Sequence, residues 1–219
     1  MQRSYDLGRE LLKWLAVFTM TIDHVGAALY PDYLLFRYIG RLSFPLFAYL
    51  LILGLENTRN VRNYFIRLFL FAWISQIPFY LAFGMQPWEH LNIFFTLSVG
   101  LVFIYYFEKK NFLFFIPLLA SAVFPFDYGI YGISTVGCFY FLRRNRELGV
   151  FLFLLLNLLF LLSLSFQFLA LGALPFILLH NDGRISFKRV GMKSNYPLWK
   201  KYSFYLYYPL HLLLLYFLK

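Results

Sequence analysis

The sequence predicts an all-α integral membrane protein, a polytopic helix bundle with about nine transmembrane helices in a single domain, residues 1–219. The first observation is composition: 61% of the residues are hydrophobic and only 14% are charged, whereas about 25% are charged in soluble domains. The second is that apolar runs follow one another along the whole chain. The longest polar stretch, residues 180–201, is too short for a separate soluble domain. These observations exclude a soluble globular protein.

The apolar runs predict helices at residues 11–29, 34–55, 62–83, 91–107, 112–124, 128–142, 148–163, 166–179 and 203–218. As a helix, the first run rises roughly 28 Å, which crosses a bilayer core and exceeds the core of a signal peptide, so we expect it to be retained. The fifth, sixth and eighth are short and are expected to be broken or re-entrant. Pro45, Pro78, Pro117 and Pro175 fall inside runs and are expected to bend their helices.

The basic residues predict the orientation. If the N-terminus is cytoplasmic, 17 of the 20 Lys and Arg residues fall in cytoplasmic segments, as the positive-inside rule requires. These residues are Arg3, Arg9, Lys13, Arg59, Arg62, Arg67, Lys109, Lys110, Arg143, Arg144, Arg146, Arg184, Lys188, Arg189, Lys193, Lys200 and Lys201. The predicted location is the bacterial cytoplasmic (inner) membrane, with the C-terminus outside. The lipid bilayer accounts for the net charge of +10, so no nucleic-acid partner is expected.

Four ionisable residues interrupt the first two predicted helices. Asp23 and His24 lie in the first, and Arg37 and Arg41 lie in the second. A charge at the centre of a membrane helix costs about 2.5 to 3.5 kcal/mol, so such residues usually face the bundle interior, form pairs and carry function. Asp23 is placed to meet an arginine across the short connecting turn. The two arginines share a helix face and repel each other unless an anion, either Asp23 or a substrate, lies between them.

Other roles for these residues stay open. Asp23 and one arginine can form a structural ion pair, and His24 can form a hydrogen bond between helices. The same residues are typical of a proton or substrate path in a small multi-pass transporter. A third alternative is a non-catalytic assembly protein of a pilus or secretion system.

Six stretches carry a resemblance to a known family: residues 21–31, 39–60, 64–84, 91–106, 127–133 and 202–219. Together, and in this order, they resemble the TraX family of membrane-embedded acetyltransferases, named after the enzyme that acetylates the N-terminus of F-type pilin. The resemblance implies acetyl transfer from cytoplasmic acetyl-CoA, the donor substrate. The implied acceptor is an amine, such as the N-terminus of a pilin-like peptide, or a hydroxyl at or beyond the outer half of the membrane.

The resemblance and the residue chemistry together suggest catalytic roles. His24 is expected to act as the base that removes the acceptor proton, or to carry the acetyl group itself. Arg41, or Arg37 on the same face, is expected to stabilise the developing charge on the carbonyl oxygen. Asp23 is expected to hold an arginine in place or to attract an ammonium acceptor.

The donor phosphates are expected to bind on the cytoplasmic side, among Lys13, Arg59, Arg62 and Arg67. More distantly, the first and last helices resemble the acyltransferase-3-like superfamily, in which a basic residue, ten others and a histidine follow one another. Lys13 and His24 fit this spacing, although that group usually has arginine at the basic position and the two residue types are not interchangeable.

Five further polar residues are expected near the substrate cavity. Gln76, Asn92 and Thr96 lie in the third and fourth predicted helices and either line the cavity or form hydrogen bonds between helices. Asp127 lies in an outer turn and is expected on the acceptor side. His211 follows Pro209 and is expected to satisfy a freed backbone carbonyl.

No metal is expected, because the remaining histidines are dispersed. His90 and His180 lie at helix ends and are expected to be solvated. Cys138 is the only cysteine, so no disulfide framework is predicted.

Overall fold

The computed structural model describes residues 5–162, 166–185, 188–189 and 198–219. Its α-helices are α1 (Leu7–Leu29), α2 (Leu34–Gly40), α3 (Ser43–Glu56), α4 (Val61–Phe83), α5 (Ile93–Glu108), α6 (Phe115–Val123), α7 (Gly129–Leu142), α8 (Arg146–Leu162), α9 (Leu174–Asn181) and α10 (Leu198–Leu218). Two 3₁₀-helices, Phe112–Phe114 and Phe166–Ala173, precede α6 and α9. A two-residue strand β1 (Tyr5–Asp6) pairs antiparallel with β2 (Lys188–Arg189). Arg3, Lys193 and Ser163, the last residue of the predicted seventh helix, lie outside the described residues.

The all-α prediction is confirmed, and each of the nine predicted segments contains helix. The predicted helix over residues 34–55 is present as the helical segment Leu34–Glu56, with an interruption at Arg41 and Leu42 that divides it into α2 and α3. Pro45 lies four positions after Arg41 and has no N–H to donate to the Arg41 carbonyl, so one helical hydrogen bond is lost at this interruption. Proline is tolerated in the first turn of α3, where no backbone N–H donor is needed. The break places Arg41 at the end of α2 instead of inside a helix.

The outer surface of the bundle is strongly apolar. Within the described residues, the helical segments Leu34–Glu56 and Val61–Phe83 are long and apolar enough to cross a membrane, and four further apolar helices are shorter. Large apolar side chains point outward from several helices, among them Trp14, Ile77 and Phe217, which are 64%, 67% and 78% exposed. Soluble monomers rarely expose such extensive apolar surface. This surface is typical of a membrane protein.

Helix α1 packs closely against α2, and α1 also contacts α3 and α10. Two glycines permit the close approach of α1 and α2. A Cβ atom at Gly26 would collide with Phe36, and one at Gly40 would collide with the Asp23 side chain. Small residues commonly allow helices to approach in this way in membranes. The contact presses Asp23 of α1 against α2.

The two ends of the bundle differ in polarity. We call one the ionic end; it holds the ion pairs Glu56–Arg143, Glu108–Arg144, Asp182–Arg146 and Asp6–His180. The cavity end, opposite, is formed by the end of α1, α2, the end of α4 and the connection before α7. The expectation that His180 is solvated is wrong: its side chain is buried, because Asp6 and Tyr49 enclose it and bond to both ring nitrogens. His90 is exposed, as predicted.

Candidate active site

A cavity of about 200 Å³ opens at the cavity end of the bundle. Its polar lining is Asp23, His24, Arg37, Arg41, Ser43, His90, Asp127, Tyr128 and Tyr208. Its apolar lining includes Phe44, Phe47, Phe79 and Phe83. Two aspartates, two arginines, two histidines and two tyrosines thus share one small space that is otherwise largely apolar. Such a combination is typical of a binding or catalytic site.

Asp23 and Arg37 form an ion pair inside this cavity. Arg37 Nη1 lies 2.7 Å from Asp23 Oδ2 and 3.4 Å from the Asp23 backbone carbonyl oxygen. The pairing of Asp23 with an arginine across the turn was predicted, and this contact confirms it. The other carboxylate oxygen, Oδ1, is buried and has no hydrogen-bond partner among the described residues. Such an atom is uncommon and often marks a functional site.

Arg41 has a different environment. Its Nη1 donates to the Tyr128 hydroxyl at 3.4 Å, and no acidic side chain in the described part of the chain forms an ion pair with it. Tyr128 adopts the left-handed region with φ of 64°, and its ring stacks on Phe44 with centroids 4.3 Å apart. A tyrosine in this conformation is strained, and strain of this kind clusters at functional sites. The packing on Phe44 fixes the hydroxyl that contacts Arg41.

Asp127 lies in the connection between α6 and α7 and closes the cavity. Its backbone N–H donates to the Leu91 carbonyl at 2.9 Å, and its own carbonyl accepts from the Thr96 hydroxyl at 2.5 Å. Burial, reinforced by the negative charge of Asp23, raises the pKa of the Asp127 carboxyl to about 7. Asp127 can therefore be either neutral or charged near neutral pH.

His24 is joined to His211 of α10. His24 Nδ1 lies 2.8 Å from His211 Nε2. The two rings are coplanar within 2° and their centroids are 5.1 Å apart, which is the geometry of a hydrogen bond in the ring plane. Phe83 and Tyr208 pack edge-on around the His24 ring. His211 Nδ1 in turn lies 2.9 Å from the Tyr207 backbone carbonyl oxygen.

A model of the TraX protein family matches residues 8–219. The chain belongs to the TraX family. This finding confirms the resemblance carried by the six stretches, whereas the more distant relation to the acyltransferase-3-like superfamily stays a prediction.

Three relatives are similar to this TraX-family chain. The probable fimbrial assembly protein FimC, serogroup H1, of Dichelobacter nodosus is 27% identical over 98% of this chain and 97% of its own length. An uncharacterized protein of Rickettsia prowazekii (strain Madrid E) is 33% identical over 47% of this chain and 38% of its own length. Protein TraX of Escherichia coli (strain K12) is 32% identical over 42% of this chain and 37% of its own length. No solved structure matches the chain.

Two of the five residues predicted near the cavity form a helix-to-helix network behind it. Gln76 of the TraX-family chain donates to the His90 carbonyl at 2.6 Å and accepts from the Asn92 side chain at 2.6 Å. Asn92 also donates to the Ala72 carbonyl at 2.7 Å. Neither side chain lines the cavity. Their observed role is the alternative that the sequence left open, hydrogen bonding between helices.

The other three predicted residues act closer to the cavity. Asp127 lines it, Thr96 holds the Asp127 backbone from behind, and His211 contacts His24. The prediction that His211 bonds a backbone carbonyl agrees with its contact to Tyr207.

The four residues predicted to bind the donor phosphates lie outside the cavity lining. Lys13 pairs with Glu10 at 2.8 Å, and Arg67 lies over the Tyr205 ring at 5.6 Å. Arg59 and Arg62 are exposed. Arg62 lies in the first turn of α4 and Arg59 just before it, whereas Lys13 and Arg67 lie in the second turns of α1 and α4. All four lie at the ionic end.

The sequence reasoning missed Tyr128 and Tyr208 as site residues. The Tyr208 hydroxyl is buried and has no hydrogen-bond partner among the described residues. Both tyrosines lie in stretches that carry the TraX resemblance, 127–133 and 202–219. Tyr128 follows Asp127, and Tyr208 precedes Pro209. The chain has 18 tyrosines, and only these neighbours in the sequence could have distinguished the two as site residues.

Proposed function

We propose that the protein is a transmembrane acetyltransferase of the bacterial cytoplasmic membrane. It moves an acetyl group from cytoplasmic acetyl-CoA to an amine, such as the N-terminus of a pilin-like protein, or to a hydroxyl acceptor at or beyond the outer half of the membrane. The observation that carries the proposal is the cavity, whose lining includes both His24 and Arg41; Arg41 forms no ion pair with an acidic side chain of the described residues. The membership of the TraX family supports it.

The transfer uses His24 as its base. The neutral acceptor amine attacks the thioester carbonyl, a C–N bond forms, and the C–S bond to CoA breaks. His24 takes the proton that the amine loses and returns it to the departing thiolate, so the products are the acetylated amine and CoA thiol. An acetyl-His24 intermediate, in which the ring nitrogen attacks first, uses the same residues.

Of the two arginines, Arg41 is better placed to stabilise the carbonyl oxygen. Arg37 forms an ion pair with Asp23 at 2.7 Å. Among the described residues, Arg41 donates a hydrogen bond to the Tyr128 hydroxyl and lies near the carboxylates of Asp23 and Asp127 without forming an ion pair with either. A guanidinium held in an apolar cavity stabilises a developing oxyanion strongly, because few water molecules compete. Asp23 thus pairs with Arg37, and Arg41 remains available to stabilise the carbonyl oxygen.

The donor phosphates stay at the ionic end, where Lys13, Arg59, Arg62 and Arg67 bind them. Arg59 and Arg62 are exposed and able to meet phosphates directly. The pantetheine arm then reaches through the bundle to the cavity. This arrangement requires the thioester alone, and not the nucleotide, to enter the apolar interior.

The test is binding of acetyl-CoA and release of CoA thiol by detergent-purified wild type, His24→Ala and Val25→Ala, with a pilin-like peptide that has a free N-terminal amine supplied as the acceptor. Val25 is the next residue of α1 and is not part of the cavity lining, so it is the matched control. We expect saturable acetyl-CoA binding and thiol release by wild type and Val25→Ala, with the rate reduced about 100-fold or more in His24→Ala. Free CoA and acetate serve as ligand controls. If no variant binds acetyl-CoA at millimolar concentration, the enzyme proposal fails.

A second candidate function is non-catalytic pilus assembly. The observation that favours it is the name of the relative that aligns over nearly its whole length, a probable fimbrial assembly protein. An assembly role predicts that His24→Ala supports normal pilus formation in cells. Loss of acetylation together with normal assembly would separate the two functions.

A further inference from the structure

The contacts of His211 determine where its protons lie. The Tyr207 backbone carbonyl can only accept a hydrogen bond, so His211 Nδ1, 2.9 Å away, must carry a proton. In a neutral ring the other nitrogen, Nε2, is then an acceptor. His24 Nδ1, 2.8 Å from that nitrogen, must therefore be the donor.

The same argument leaves one nitrogen of His24 unprotonated. With its proton on Nδ1, neutral His24 has a lone pair on Nε2. His24 Nδ1 is directed at His211, which lies outside the cavity lining, whereas His24 belongs to that lining. Nε2 is on the far side of the ring from His211 and is therefore the nitrogen left for a group in the cavity. A base needs a lone pair at the position of the reacting group.

We propose that His211 is a positioning residue, which holds His24 in the Nδ1–H tautomer and so presents the Nε2 lone pair to the acceptor. This inference rests on the proposed function, because it assigns the supporting partner of the proposed base. The partner is a neutral imidazole instead of the carboxylate that orients the histidine in many hydrolases. The carboxylate next in sequence, Asp23, is bonded to Arg37.

The contact also supports the charged state that forms during transfer. When Nε2 takes the acceptor proton, His24 becomes an imidazolium that still donates its Nδ1 proton to the lone pair of His211. The bond then has an ionised donor and becomes stronger. The two ring planes are already parallel within 2°, so neither ring has to rotate when His24 takes the proton.

The first experiment reads the tautomer directly. Protein with ¹⁵N-labelled histidine side chains is studied in lipid bilayers by solid-state NMR, and the His24 signals are assigned by their loss in His24→Ala. The chain has four histidines, so the spectrum is resolvable. We expect His24 with Nδ1 protonated and Nε2 unprotonated in wild type. A wild-type signal from a protonated His24 Nε2 in the neutral ring overturns the inference.

The second experiment compares His211→Leu with His211→Gln. Leucine cannot accept a hydrogen bond, whereas the glutamine amide oxygen can accept from His24 Nδ1. We expect His211→Leu to lower kcat for thiol release about 10- to 100-fold with the KM for acetyl-CoA within about twofold of wild type, and His211→Gln to recover most of kcat. Equal activity of wild type and His211→Leu, or equal losses in both variants, contradicts the inference.

The two readouts separate this inference from the proposed function. If wild type shows the Nδ1–H tautomer but releases no thiol, the acetyltransferase proposal fails and the assignment of the tautomer stands. If wild type releases thiol but carries its proton on Nε2, the inference about His211 fails alone. If His211→Leu does not fold, the wild-type NMR signal and the glutamine variant still decide the question.

Discussion

His24 and His180 are both enclosed by protein, yet they differ in how their ring nitrogens are used. Both nitrogens of His180 are bonded, Nδ1 to the Tyr49 hydroxyl at 2.9 Å and Nε2 to Asp6 at 3.1 Å. His24 bonds to His211 through Nδ1, and the residue lines a cavity. No described residue forms a hydrogen bond to its Nε2. A fully bonded histidine has no lone pair to offer to a substrate. The comparison therefore separates a histidine that joins helices from one that can do chemistry.

The arginines of the two ends show the same contrast. At the ionic end, the Arg143 guanidinium meets Glu56 at 2.9 Å and Asn181 at 2.9 Å. At the cavity end, Arg41 contacts the Tyr128 hydroxyl, and no acidic side chain of the described residues forms an ion pair with it. At the ionic end, the charges that stabilise the fold form ion pairs with opposite charges. In the proposed function, the charge of Arg41 acts on a group that enters the cavity.

The largest expected effect comes from removing the unmatched arginine. Arg41→Ala should lower kcat for thiol release about 100- to 1000-fold, because the oxyanion loses its charged donor. Arg144→Ala is the control, since Arg144 is paired with Glu108 at the ionic end; it should keep the wild-type rate. The measurement is steady-state thiol release with thermal unfolding recorded in parallel. Similar rate losses in both variants would remove the distinction between the two ends.

Much of the fold and part of the site could be predicted from the sequence. There are physical reasons why the remaining features could not. Apolar runs predicted the helices, since lipid-facing and core-facing positions are both apolar. The connection between the first two helices, residues 30–33, was short enough to predict that Asp23 meets an arginine. Pro45 was expected to bend the second helix, but the interruption at Arg41 and Leu42 was not predicted, because the run is apolar on both sides of the two arginines and gives no local signal of where the helical hydrogen bonds are lost.

Contacts between distant parts of the chain were beyond the sequence. The expected solvation of His180 was wrong, because its partners Asp6 and Tyr49 lie 174 and 131 positions away. The contact between His24 and His211 spans 187 positions. No local pattern reports such pairs, so the sequence could name both histidines of the pair but not join them.

An intermediate effect is expected at His180. His180→Phe keeps an aromatic ring of similar shape but leaves the Tyr49 hydroxyl and the Asp6 carboxylate without this partner, which should lower the free energy of unfolding by about 1–3 kcal/mol. The rate of thiol release by the folded fraction should stay close to wild type. Thermal unfolding in detergent and thiol release measure the two quantities. Tyr49→Phe removes one of these two contacts together with the interaction of the Tyr49 hydroxyl with Arg143, so it should also lower the free energy of unfolding without changing the rate of thiol release.

If His180→Phe lowers the rate of thiol release by the folded fraction, with little change in the free energy of unfolding, the assignment of His180 as structural is contradicted. That result would instead place the ionic end within the reaction, for example in positioning the donor. The variant therefore tests the comparison from the side of the buried, fully bonded histidine.

The smallest effect is expected for the pair of Arg146 and Asp182, which lie 3.0 Å apart at the ionic end. The Arg146 side chain is 52% exposed, so water and salt screen the attraction. A double-mutant cycle of Arg146→Ala and Asp182→Ala should give a coupling energy of about 0.2–1 kcal/mol. That value should fall further at high ionic strength, where screening shortens the range of the interaction. Thermal unfolding of the four proteins at low and high salt measures both quantities.

Neither substitution in this cycle should change thiol release, because the pair is distant from the cavity lining. A coupling energy well above 1 kcal/mol that persists at high salt would mean that the pair is shielded from water and supports the fold as the buried contacts of His180 do. A change in rate would show that the matched charges of the ionic end also act on the donor. In that second case, matched charge alone would no longer separate the two ends, and the absence of an ion pair at Arg41 among the described residues would no longer mark the site.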